Sequence, residues 1–140
     1  MKKEFLISVL TKQFIEGERE ELEVMTKAFL ELKDDGYVIN YIEEEEDGSK
    51  SETTLQIENN GRITVNREGA ISTHMIIEKG TRTLSHHVTP YGAFSMGVTA
   101  VKIESDISEK GGILSFKYMT DLENAPLGEI EFDITLNPIG

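Results

Sequence analysis

The stretch Thr81–Ser105, TRTLSHHVTPYGAFSMGVTAVKIES, holds two of the three histidines, one of the three prolines and the longest unbroken β-like pattern in the chain. Within it, Thr89-Pro90-Tyr91-Gly92 separates two strand-like runs. Four residues cannot accommodate the helical crossover that parallel neighbours require, so an antiparallel sheet is expected. Proline lacks a backbone N–H and pushes the preceding Thr89 into an extended conformation. A lost ladder bond and a bend or sheet edge are therefore expected at Pro90. Beyond it Phe94, Met96 and Val98 fall on one face of an extended chain, with Ala93, Ser95, Gly97 and Thr99 on the other. After Ala100 the apolar residues Val101 and Ile103 change parity, which implies either a β-bulge or a change in the face that is covered.

Outward from that stretch the same period recurs. Phe5, Ile7 and Val9 alternate with polar or small residues and read as a first strand. Glu20–Lys33 fits two templates. Leu22, Met25, Phe29 and Leu32 make a helical stripe, whereas Leu22, Val24, Ala28, Leu30 and Leu32 share a strand face. Intrinsic propensity alone prefers helix. Asp35-Gly36 follows at once, however, and is a favoured hairpin turn before the strand-like Tyr37–Ile42, so the segment is read as strand. A turn on Asp35-Gly36 sets Leu32 opposite Ile39 and Leu30 opposite Tyr41.

The block Glu43–Asp47 followed by Gly48-Ser49-Lys50 lacks the ligand spacing of a calcium loop and is read as a solvated strand end. Around Asn59-Asn60-Gly61, a three-residue loop opposes Ile57 to Ile63 and Leu55 to Val65, and places Gly61 in the left-handed position such loops need. Around Lys79-Gly80, a two-residue loop opposes Met75 to Leu84, Thr73 to His86 and Ile71 to Val88. That register turns His86 inward and puts His74 and His87 on the other face. Leu114, Phe116 and Tyr118 share a face, and Ile130, Phe132, Ile134 and Leu136 alternate cleanly with acidic and polar residues. About nine or ten strands with short connections and no convincing helix make a meander, which closes most economically into an antiparallel β-barrel because exposed sheet edges invite aggregation. A two-sheet sandwich is the alternative.

The 140 residues fit a single domain. Acidic residues outnumber basic ones by 26 to 14, and the net charge of −12 repels phosphate backbones and anionic headgroups, so neither nucleic acid nor a membrane surface is an expected partner. The absence of cysteine removes disulfides, thiolate nucleophiles and thiolate-bound metals and is compatible with a reducing cytoplasm. The opening MKKEFLISVL lacks a small-residue cleavage site and carries Glu4, which favours a first strand over a signal peptide. No stretch is apolar and long enough to span a membrane.

The succession YVINYIE at Tyr37–Glu43, Thr53-Thr54-Leu55 before a strand, Asn60-Gly61 with Arg67-Glu68-Gly69, and above all Thr89-Pro90-Tyr91-Gly92 with Val98-Thr99, resembles the YwiB-like family of bacterial β-barrel proteins. The resemblance covers most of the chain from Tyr37 onward. It implies a calycin-like barrel, related in shape to lipocalins, in a bacterial cytoplasm, and it implies no activity. It also favours strand over helix for Glu20–Lys33.

Candidate ligand-binding residues are His86, Tyr91, Tyr41, Arg82 and Thr73. His86 is expected to face inward beside Thr73 and near Tyr91, where an imidazole and a phenol orient a bound molecule. The competing reading is a core histidine with its hydrogen bonds satisfied. Adjacent His86 and His87 leave opposite faces and cannot share a metal. His74 and His87 share a face but lack a third ligand, so no metal is expected. Arg82 and Arg67 bind a ligand carboxylate or phosphate if they face the lumen, or pair with the abundant carboxylates if they do not. Ser72, Ser85 and Ser95 sit in no nucleophile elbow or ordered triad, and the glycines of GVTA and GGIL form no phosphate loop. Without a catalytic motif or an expected cofactor, the leading expectation is non-enzymatic binding of a small, partly apolar molecule inside the barrel. The alternatives are an interaction module with a filled barrel and an acidic outer face, and an enzyme using His86 and Tyr91.

Overall fold

A computed structural model describes residues 2–139. Ten strands follow one another as β1 (Lys2–Ile15), β2 (Glu18–Lys33), β3 (Gly36–Glu44), β4 (Lys50–Glu58), β5 (Ile63–Glu68), β6 (Ser72–Ile77), β7 (Arg82–Thr89), β8 (Gly92–Ser108), β9 (Gly111–Leu122) and β10 (Ala125–Pro138). Each pairs antiparallel with the next, and β1 pairs with β10 from Phe5↔Pro138 to Ile15↔Gly128, which closes the barrel. The described residues contain no helix. Glu20–Lys33 is strand, because only the period of two lets Ala28 and Leu30 reach the lumen while Lys27, Phe29 and Glu31 stay outside it.

Inward side chains form tiers of directly paired residues. The lowest runs Tyr37–Ile57–Ile63–Ile77 across β3 to β6, and the next runs Leu30–Ile39–Leu55–Val65–Met75 across β2 to β6. Every member of both tiers is buried, and Phe5, Ile7, Leu114 and Leu136 pack against them from β1, β9 and β10. Burying each such side chain contributes about 1.5–3 kcal/mol, so this half of the lumen is a dry core. The Tyr37 hydroxyl hydrogen-bonds Ser105 on β8 there.

The turns explain which registers hold. At Asn59-Asn60-Gly61 the three-residue loop is present: the Glu58 N–H donates to the Arg62 carbonyl at 2.9 Å, the Gly61 N–H to the Glu58 carbonyl at 2.8 Å, and Gly61 has φ +93°. Ile57 meets Ile63 and Leu55 meets Val65, as expected. A bulge in the β8–β9 ladder falls between Ala100 and Lys102, so the parity change after Ala100 is a bulge with Val101 turned outward.

Three expectations are corrected. The β2–β3 turn is Asp34-Asp35, not Asp35-Gly36, because Lys33 pairs with Gly36; Leu30 therefore faces Ile39 and Leu32 faces Tyr37. Asn59 ties this turn to its neighbour, donating from its N–H to the Asp35 carbonyl and from its amide to the Asp34 carbonyl. Pro90 costs no ladder bond and makes no edge, since Pro90-Tyr91 are the turn itself between the paired Thr89 and Gly92. The Thr89 hydroxyl accepts the Tyr91 N–H and donates to the Gly92 carbonyl, closing that turn.

The third correction decides the site. At the β6–β7 tip the Thr81 N–H reaches the Glu78 carbonyl at 3.2 Å, as a Lys79-Gly80 turn requires. Deeper in the ladder His74 pairs with His86 and Thr73 with His87, so β7 has taken up one extra residue relative to β6. One residue of slip exchanges the two faces. Thr83, Ser85 and His87 point inward, and Leu84 and Val88 stand outside at 52 % and 55 % exposure.

Candidate functional site

Above the two apolar tiers, the third inward tier is largely polar. It runs Tyr41–Thr53–Arg67–Thr73–His87–Phe94 across β3 to β8, each residue paired with the next. The opposite wall, from β9 and β10, carries Phe116, Tyr118, Phe132 and Ile134. Between the walls lies a cavity of about 160 Å³, floored by Leu55, Val65 and Met75.

The wall facing the polar arc is aromatic. Phe116 and Phe132 stack with centroids 5.0 Å apart, and Tyr118 lies 6.3 Å from Phe132, with planes within 25° of parallel. Burial pushes the Tyr118 phenol up, with no hydrogen bond to offset it. Tyr41 is raised for the same reason; the nearby Thr53 hydroxyl pulls it down, Glu43 raises it and Arg67 lowers it. Both phenols therefore remain protonated donors at neutral pH.

Thr53 is the anomaly. It lines the cavity at 4 % exposure; its hydroxyl lies close enough to the Tyr41 phenol to pull that group's pKa down, but the geometry is too poor for a hydrogen bond and no other described residue meets it. An unpaired buried hydroxyl costs about 1–3 kcal/mol, so it calls for an explanation. Beside it Arg67 is held at the cavity mouth, with Nη2 at 2.9 Å from Glu45 Oε1 and Nη1 at 3.7 Å from Glu43 Oε1. Glu45 also accepts the Ser51 hydroxyl at 3.1 Å.

His87 is committed to its neighbours. The Ser85 hydroxyl donates to the Met96 carbonyl at 3.2 Å, so at 2.9 Å from His87 Nε2 it accepts that ring's N–H. Nδ1 is then free to accept from the Thr73 hydroxyl at 3.3 Å, a tautomer assigned from the network. The ring stacks on Phe94 at 5.0 Å and 14°. Burial and then the charge of His86 lower its pKa, in keeping with a neutral ring. Because Nε2 carries a proton and the Ser85 hydrogen is directed at Met96, this pair lacks the base-to-nucleophile geometry of a serine hydrolase.

Of the sequence candidates, Tyr41 and Thr73 line the cavity. Arg67, weighed with Arg82, lines it too. His86 does not, contrary to expectation: the extra residue in β7 turns it outside, where its Nδ1 lies 2.9 Å from Ser95 Oγ. Tyr91 stands at the tip of the β7–β8 turn at 99 % exposure, so no His86–Tyr91 pair forms. Arg82 lies outside the barrel and grips Asp121 with two hydrogen bonds, Nε to Oδ2 at 3.0 Å and Nη2 to Oδ1 at 2.6 Å. The pair crosses β8 over Gly97, where a Cβ would collide with both side chains. His74 pairs with His86, not His87, on the outer face, and its Nδ1 lies 2.6 Å from Asn66 Oδ1. No group of three metal-ligating side chains occurs among the described residues.

Sequence reasoning missed His87, Thr53 and the aromatic wall as site residues. The signal for His87 lay in the β7–β8 turn: closing the chain on Pro90-Tyr91 pairs His87 with Phe94, already on the face of Met96 and Val98. Thr53 stands two residues from Leu55, as Thr73 does from Met75, so the period carried past the last apolar residue finds both.

The same barrel is found in a protein of known structure. The chain superposes on the crystal structure of the ywiB protein from Bacillus subtilis with a TM-score of 0.86 and 21 % identity, covering 99 % of this chain and 94 % of that one. In sequence it is 28 % identical over 120 residues to the uncharacterized β-barrel protein YwiB of Bacillus subtilis (strain 168), spanning 84 % of this chain and 83 % of the relative. The profile described as Domain of unknown function (DUF1934) matches residues 7–134, and the chain belongs to that family.

Proposed function

We propose that the protein binds a small, partly apolar molecule inside its barrel, without catalysing a reaction on it. The observation that carries this reading is the cavity of about 160 Å³ between an aromatic wall and a polar arc in which the Thr53 hydroxyl has no partner. A barrel of this size holds either packed side chains or one small ligand, and here the upper lumen is not filled. An apolar cavity with a few convergent polar groups is the usual form of a small-molecule site. A side-chain-filled interaction module, the principal alternative, accounts for the two lower tiers but not for the third. Action in a reducing cytoplasm is part of the proposal and draws on the absence of cysteine.

Native mass spectrometry after gentle purification, combined with thermal-shift titration of small aromatic and aliphatic compounds, tests it. Wild type is expected to retain or be stabilised by at least one such compound, and Val65→Phe, whose ring projects into the cavity, is expected to lose the effect. Equal stabilisation of both proteins, or of neither by any compound, contradicts lumen binding.

A further inference from the structure

Resting on that reading, we infer that the ligand is a neutral molecule of single-ring size bearing one hydrogen-bonding group, of the phenol or aromatic-alcohol class. Its ring lies against Phe132 and its polar group reaches the Tyr41–Thr53 corner. Size sets the first limit. The cavity of about 160 Å³ is comparable to the ~150 Å³ apolar cavity known to take up benzene, and far too small for a lipid tail or a nucleotide. Shape sets the second, because the mutually stacked rings of Phe116 and Phe132, with Tyr118 beside them, line one side of the cavity as an aromatic wall that favours an aromatic partner.

Polarity sets the third limit. The Thr53 oxygen is closed off from the cavity as it stands, with only the Tyr41 phenol near it; rotation about the threonine χ1 turns it to a ligand hydroxyl held at the Tyr41 corner, a partner that a pure hydrocarbon lacks. Charge sets the last. The guanidinium of Arg67 already faces two carboxylates, Glu43 and Glu45, so the mouth is locally negative on a chain of net charge −12. An anionic ligand must displace those carboxylates and be desolvated against the field of the whole chain. A cation has no unengaged carboxylate within the cavity to receive it, since Glu43 and Glu45 are both held by Arg67.

The test is isothermal titration calorimetry of wild type, Thr53→Val and Val65→Phe with phenol, benzene and benzoate at pH 7.5. Met75→Phe serves as a second cavity-filling variant, and circular dichroism confirms that each variant is folded. Phenol is expected to bind wild type about fivefold to tenfold more tightly than benzene, the worth of one net hydrogen bond, with benzoate weaker than phenol. Thr53→Val is expected to bring phenol down to the level of benzene without weakening benzene, and the filling variants are expected to bind neither. Benzoate binding as tightly as phenol, or a phenol preference that survives Thr53→Val, overturns the neutral-hydroxyl assignment. Loss of benzene binding in the filling variants would then still uphold lumen binding. No binding of any probe to wild type, or undiminished binding to the folded filling variants, overturns both.

Discussion

The two ends of the lumen are built from the same strands and behave differently. At the end bearing the Asp34-Asp35 and Asn59–Gly61 turns, the inward positions are Tyr37, Ile57, Ile63 and Ile77, all of them buried. At the other end, beyond the middle tier of Ile39, Leu55, Val65 and Met75, the inward positions on the same strands are Tyr41, Thr53, Arg67 and Thr73, which line a cavity with an unpaired hydroxyl. Four residues further along a strand, the chain stops satisfying itself. Stability is concentrated at one end, and the capacity to bind is left at the other.

Truncation on the two sides gives the largest contrast. Ile39→Ala in the dry core is expected to cost about 2–5 kcal/mol by urea denaturation. Met75→Ala, whose side chain already borders empty space, is expected to fall at or below the lower end of that range, since fewer contacts are forfeited. Equal losses would break the distinction between a filled and an unfilled half.

Gly61→Ala sharpens the dry end. A Cβ there meets nothing within 4 Å, so the expected loss of about 1 kcal/mol comes from the φ of +93° alone. An unchanged unfolding midpoint would mean that this loop does not hold the tier above it in register. Thr53→Val probes the wet end with opposite sign. Removing a buried hydroxyl that has no partner is expected to raise the stability of the unliganded protein by about 1 kcal/mol, and a loss of that size would show that the hydroxyl is satisfied after all.

The smallest effect is a pH dependence. Burial, then the charge of His86, lower the folded pKa of His87 below its unfolded value near 6.5, so between the two values the unfolded chain binds more protons. Stability is therefore expected to fall as pH drops below about 6.5 towards the folded pKa, and to recover as pH rises. His87→Gln should remove that slope, and His86→Gln should only lessen it, since burial remains the larger cause. The reverse pattern would put His86, not His87, inside.

The dry end was legible at one of its two turns, where the signals agree. Around Asn59-Asn60-Gly61 the alternation of Leu55, Ile57, Ile63 and Val65 and the left-handed Gly61 specify one register, which is the register found, whereas Asp35-Gly36 pointed one residue away from the Asp34-Asp35 turn that forms. On β7 the signals conflict: Leu84 and Val88 suggest that the even positions are buried, yet these residues stand on the outer wall. The Lys79-Gly80 turn, taken alone, supports the wrong face, because the extra residue that corrects it lies within the ladder and leaves no glycine or proline to mark it. The Pro90-Tyr91 turn on the other side of the same strand points to the right one, through His87 opposite Phe94. A strand with two turns has two registers to reconcile, and only the second was consistent with the apolar face of β8. Tyr41 and Thr73 were legible by parity, while the aromatic wall was read only as the apolar face of two strands, because nothing in Phe116, Tyr118 or Phe132 distinguishes a packed ring from one that borders a cavity.

A crystal structure of the protein soaked in phenol tests the central claim most directly. The expected result is one phenol in the upper lumen, its ring over Phe132 and its oxygen within about 3 Å of the Tyr41 or Thr53 hydroxyl, with His87 still bonded to Thr73 and Ser85. A lumen closed by its own side chains, or phenol found only on the outer wall, would contradict it.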